Sequence, residues 1–127
     1  MIQKSFTLAI KEFMAQTKED HRNMTARAGM ELARRVILKT PVDTGRARGS
    51  FMATIGAPAS GQSGLIDPTG QNAIAAAIST YSRAPAFSNL WLTSNLEYIL
   101  DLEYGSSRQA PQGMVRVSIA ELESLFK

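Results

Sequence analysis

Apolar residues recur at Phe6, Ile10 and Phe13, and again at Met24, Ala28, Leu32 and Val36, with polar and charged residues between them. Gaps of three, four and eleven keep one face of an α-helix. Residues 2–39 hold no proline and one glycine, Gly29. The pattern predicts one long amphipathic helix from Ile2 to Lys39, or two with a break near Asp20 to Asn23. Globular helices average about 11–12 residues, so this one is expected to pack along a sheet or to reach a neighbouring subunit. Pro41 ends it, because the residue before a proline avoids helical geometry.

Asp43-Thr44-Gly45 then reads as a turn. From Arg46 to Ile55 the period shortens: Phe51, Ala53 and Ile55 alternate with Ser50, Met52 and Thr54, which predicts a strand with one well-buried face. Gly56, Pro58, Gly61, Gly64, Pro68 and Gly70 mark residues 56–70 as a loop, expected to be mobile and to order on assembly. Its candidate assembly positions are Gly56, Gly61, Gly64, Asp67 and Gly70. The alanine-rich run from Gln71 to Tyr81 predicts a short helix, broken by Pro85. Phe87 to Ser94, with Leu90, Trp91 and Leu92, predicts a second strand. Asn95 is the expected N-cap of a short helix through Glu103, with Gly105 as its C-cap. Val115, Ile119, Leu122 and Phe126 share one helical face; Val115 to Ile119 also alternates, and helix is preferred there. The fold expected is α+β in a single domain over 1–127, with N- and C-terminal helices on a small, largely antiparallel sheet.

Composition narrows the function classes. A chain of 127 residues with 44% hydrophobic and 20% charged residues is globular. It has no cysteine, which excludes a disulfide framework, a thiolate metal site and a cysteine nucleophile. No apolar run approaches the roughly 20 residues of a membrane span, and the N-terminus lacks the apolar stretch of a signal peptide. Synthesis in a reducing cytoplasm is the expectation. A net charge of +3 permits passing contact with nucleic acid without requiring it.

Candidate chemistry is sparse. Asp43-Thr44-Gly45 has the letters of an aspartic-protease triplet, where two chains each supply one aspartate. It follows a proline-terminated helix rather than an apolar strand, and Arg46 beside it favours an ionised Asp43. The turn reading is preferred. His21, the single histidine, lies in the charged run Lys18-Glu19-Asp20-His21-Arg22 and reads as solvated. The glycine-rich loop lacks the Gly-Lys-Ser/Thr of a phosphate-binding loop, so no nucleotide cofactor is expected. Trp91, Tyr98 and Tyr104 read as core or half-buried packing. Arg34, Arg35, Lys39, Arg46 and Arg48 form a basic cluster in sequence, and Glu97, Asp101 and Glu103 an acidic one. Solvated surface is the ordinary reading. The functional reading makes Arg34, Arg35, Arg46, Arg48, Glu97, Asp101 and Glu103 complementary patches of a head-to-tail interface. A small basic nucleic-acid-binding module is the rival from another class, with Arg46 and Arg48 near the strand.

Two stretches carry a resemblance. Thr40-Pro41-Val42-Asp43-Thr44-Gly45-Arg46-Ala47-Arg48-Gly49-Ser50 resembles the signature of a phage family of tail-completion and head–tail joining proteins related to the lambda minor tail protein Z. The second comprises Asn95-Leu96-Glu97-Tyr98, then Leu102-Glu103-Tyr104-Gly105-Ser106-Ser107, then Ala110-Pro111-Gln112-Gly113-Met114-Val115. It is similar to that family's C-terminal block. Ala47 stands where a larger apolar residue is more usual, and residues 56–88 carry no motif of the family. The resemblance implies an α+β subunit of a ring, usually hexameric, at the head-proximal end of a long non-contractile tail. It also implies a virion structural role without catalysis or cofactor, other neck and tail-tube proteins as partners, and DNA passing through the channel. It favours completion or termination over the stopper and adaptor roles.

Overall fold

The computed structural model describes residues 2–125, with side chains at 11, 12 and 14–125. The expected apolar positions Phe6, Ile10, Phe13 and Phe126 lie outside those side chains. The architecture is α+β. It has an N-terminal helix α1 (Ile2–Lys39), a C-terminal helix α5 (Val115–Leu125) and a two-stranded antiparallel sheet. Between them come α2 (Arg46–Gly49), β1 (Met52–Ile55), α3 (Gln71–Ser82), β2 (Leu90–Thr93) and α4 (Ile99–Glu103).

Helix α1 runs without a break through Asp20 to Asn23. At about 1.5 Å per residue its 38 residues span about 57 Å. Among its described side chains, Lys11, Glu12, residues 14–21, Asn23 and Met24 are exposed, with Met24 at 62%. The buried face is Ala33, Val36, Ile37 and Thr40. Of the expected stripe through Met24, Ala28, Leu32 and Val36, Val36 is buried and Leu32 packs against the core, while Met24 is exposed, and the helical period explains the drift. Steps of four overrun 3.6 residues per turn by about 40° each, so that stripe winds off the core side. Gly29 has the reverse role: a Cβ there would stand 2.8 Å from Leu90 Cδ1 and 3.0 Å from Tyr81 Cδ2. The small side chains of Gly29 and Ala33 let α3 and β2 approach closely.

The expected strand from Arg46 is shorter than its pattern. Arg46–Gly49 forms one helical turn, with β1 starting at Met52. The turn is imposed from outside, because the Gly45 carbonyl accepts from Gly49 N–H and from Asp67 N–H, each at 3.0 Å. Ile55, expected on the buried face, is exposed at the strand's end. β1 pairs with β2 in the register Met52↔Thr93, Ala53↔Leu92, Thr54↔Trp91 and Ile55↔Leu90. The second strand is likewise shorter than expected and starts after Phe87, which has a positive φ of 64°. Helix α3 ends at Ser82, before Pro85, as expected.

Val36, Ile37, Phe51, Ala73, Ile74, Ala110 and Met114 form the core. A second cluster of Ala33, Ala77 and Tyr81 continues it under the sheet, with Ala53, Leu90 and Leu92 against it. Helix α3 lies on α1 and β1, and α5 lies on α1. Tyr81, at 2% exposure, is the buried tyrosine; Trp91, Tyr98 and Tyr104, expected in packing, are exposed at 40, 37 and 72%. The Tyr81 hydroxyl donates to Trp91 O at 2.6 Å, and burial pushes its ionisation up to about 12. No helix among the described residues is long and apolar enough to cross a membrane.

Candidate functional site

The two blocks that carry the resemblance meet in space. Pro41 to Ala47 lines one side of a cleft of about 450 Å³, and Tyr98, Leu102, Ser107 and Gln109 line the other. A side-chain amide joins the sides. Val42 N–H donates to Gln109 Oε1 at 2.9 Å, and Gln109 Nε2 donates back to Val42 O at 3.0 Å. Gln109 thereby pairs with Val42 as a neighbouring strand would, fixing residues 67 positions apart in sequence.

Each wall is set by local chemistry. Gly45 has φ 96°, and a Cβ there would overlap the Pro68 backbone nitrogen, so the Asp43–Gly45 turn requires glycine. Thr44 Oγ1 accepts from Arg46 N–H at 3.2 Å. On the other wall, Gly105 and Ser106 close α4. Gly105 N–H donates to Leu102 O at 3.1 Å and Ser106 N–H to Asp101 O at 3.0 Å. These are the two bonds of a Schellman motif, and Gly105 is the expected C-cap. Asn95, in contrast, caps nothing. Helix α4 begins at Ile99 after Tyr98, and Asn95 Nδ2 donates to Ala59 O at 3.1 Å and Gly61 O at 2.8 Å.

The charged residues expected at an interface divide in two. Four have partners within the chain. Arg34 and Arg35 both pair with Glu31, at 2.7 and 2.8 Å, and Arg35 reaches Glu121 with Lys39. The Arg34 guanidinium first, then Arg35, holds the Glu31 carboxyl below its usual range against a smaller opposing effect of burial. Lys39 does the same for Glu121. Arg48 donates to the carbonyls of Leu38, Thr40 and Pro68, each at 2.9 Å, and so closes the C-terminus of α1. Glu103 accepts from the N–H groups of Met114 and Val115 at 2.8 Å and Arg116 at 3.1 Å, which caps α5. Burial opposes its charge, yet these three donors and the Arg116 side chain hold its carboxyl below the usual range.

Arg46, Glu97 and Asp101 remain exposed. They do not form opposite faces. The Arg46 guanidinium lies 5.9 Å from the Tyr98 ring centre, and Tyr98 shares a second hollow with Asp101. Arg46 of the expected basic patch and Asp101 of the acidic one therefore border one region around Tyr98, whereas Arg34 and Arg35 lie apart on α1.

The loop residues also divide. Gly56, Gly61 and Gly64 stand in open space, while Gly70 lies against Ile37 at the start of α3. Asp67, at 3% exposure, accepts from Ala73 N–H at 2.9 Å and caps α3, so it is no surface residue. The loop is tied to the body by the Asn95 bonds and by Ser63 Oγ, which donates to Gly49 O at 2.6 Å. His21 is exposed, as expected, and stacks on Phe87 at 4.3 Å between ring centres.

Sequence reasoning missed Gln109 and the capping roles of Asp67 and Glu103. An acid just before the Gln71 helix start was a readable signal for Asp67. Nothing local marks Gln109 or Glu103, whose partners lie far along the chain. No family model matches the chain, and no curated protein or solved structure is significantly similar to it.

Proposed function

We propose that the chain is a structural subunit of a ring at the head-proximal end of a long-tailed phage tail, in tail completion or termination. One observation carries the reading. The two sequence blocks that resemble the neck family pack into a single cleft, locked by the Val42–Gln109 pair. Blocks that resembled the family by chance would have no reason to share one junction. The subunit acts by shape: Gly45, Gly105 and the caps at Asp67 and Glu103 fix the angles between α1, α3, α4 and α5. Ring closure needs fixed angles, since small errors per subunit accumulate.

The nucleic-acid module has less support, because Arg34, Arg35 and Arg48 are engaged within the chain. The deciding experiment adds the purified chain to tail tubes assembled without it. The mass of the free and bound protein is measured, and negative-stain images locate it. A discrete oligomer at one end of the tube is expected. A monomer that never associates with tubes, or one retained on DNA at low salt with a steep salt dependence, would overturn the proposal.

A further inference from the structure

Residues 83–89 join α3 to β2, and the connection is fixed at both ends. Ala84 is buried, and its N–H donates to Tyr81 O at 3.2 Å; Asn89 O accepts from Gly56 N–H at 2.8 Å. Between these anchors the N–H and the hydroxyl of Ser88 both donate to Pro85 O, which closes a four-residue turn with Ala86 and Phe87 at its centre. Phe87 has φ 64°. A type II turn reserves that left-handed position for glycine or asparagine. Among the described residues Phe87 is the one non-glycine with a positive φ, and a bulky side chain there strains the backbone.

Burial of the ring does not offset this strain, because Phe87 is 65% exposed. Its ring instead lies against the imidazole of His21 on α1, with 4.3 Å between ring centres and a tilt of 36°. His21 belongs to a stretch of α1 turned to solvent: of residues 14–24 all but Arg22 are exposed. The stack is where the turn grips that stretch. The strain of one left-handed bulky residue and the attraction of one aromatic pair are of similar size and opposite sign. Breaking the stack frees the ring and lets the Phe87 backbone relax, so the gripped and released states lie close in free energy. A contact so balanced shifts with any partner that binds one state better than the other.

We propose that the Pro85–Ser88 turn is a strained clasp on α1. It is closed when Phe87 stacks on His21 and open when the ring swings away, and its state decides how firmly residues 18–24 are held. The device rests on no functional reading of the chain, so it stands or falls apart from the ring.

His21 is the single histidine, so its two imidazole proton resonances report on the clasp directly. In the native chain they are expected upfield of their positions in Phe87→Leu, because an aromatic ring faces them. That displacement is expected to shrink on warming well below the melting transition, as the clasp opens. Amide exchange at residues 18–24 is expected to quicken about two- to tenfold in Phe87→Gly. The thermal midpoint of that variant is expected to hold or rise, because glycine relieves the strain; loss of ordinary packing would lower it. Identical imidazole positions in the native and Phe87→Leu chains overturn the proposal, and so does a displacement that stays constant up to melting. Native exchange rates at 18–24 in Phe87→Gly, or a lowered midpoint, overturn it equally.

Discussion

The half-buried Glu103, which caps α5, and the buried Ser118 within that helix are expected to have opposite effects on stability. Glu103 is surrounded by donors: three N–H groups and the Arg116 guanidinium converge on its carboxylate. Bonds to a charged acceptor contribute more than neutral ones, and their loss strands the donors. Glu103→Ala is expected to lower the free energy of unfolding by about 2 kcal/mol, measured by urea titration. Charge reversal at Glu103 or Arg48 would thus read folding rather than assembly. Ser118 is the counterexample. It is fully buried, and its hydroxyl has no hydrogen-bond partner in the described chain. Ser118→Ala is expected to be neutral or stabilising by up to about 1 kcal/mol in the same titration. A clear loss there would mean the hydroxyl is bonded.

At the scale of elements, helix α1 is two different objects joined end to end. Its half from Thr25 onward builds the core; side chains from Met14 to Asp20 touch solvent. Met14→Ala, at a position 65% exposed, is expected to cost about 0.5 kcal/mol or less, whereas Gly29→Leu, driven into Tyr81 and Leu90, is expected to cost several times more. Thermal melts of both variants check the contrast. Sequence made the long helix, its end at Pro41, helix α3 and the closure at Gly105 legible, because each depends on residues near it. The turn α2 was hidden, since the bonds that shape it come from Asp67, some twenty residues on. The α1 stripe held at Leu32 and Val36 and failed at Met24, because the phase of the buried face is decided by the small residues Gly29 and Ala33. Of the site, the Asp43–Gly45 and Tyr98 blocks were readable; the Gln109 bridge exists only in three dimensions.

For the whole molecule, pH acts on two limbs. Glu103, Glu31 and Glu121 have carboxyls held below their usual range. Their contribution is present above the unfolded value of about 4.3 and is lost as pH falls through the lowered folded values. Tyr81 behaves in the opposite sense. Its folded value is about 12 against 10.0, so its contribution is complete below pH 10 and is lost as pH rises towards 12. Melting temperature followed from pH 9 to 12 should fall more steeply in the native chain than in Tyr81→Phe. Equal slopes would count against burial of the phenol.

The length of α1 also governs how the isolated subunit scatters and diffuses. A compact chain of this length has a radius of gyration of about 14 Å. A helix of about 57 Å is longer than such a body is wide and moves mass far from its centre. Small-angle scattering from the monomeric fraction should therefore give a radius well above that figure and a pair-distance curve with a long, thin tail. Truncation at residue 17 should shorten the tail and leave the main peak in place.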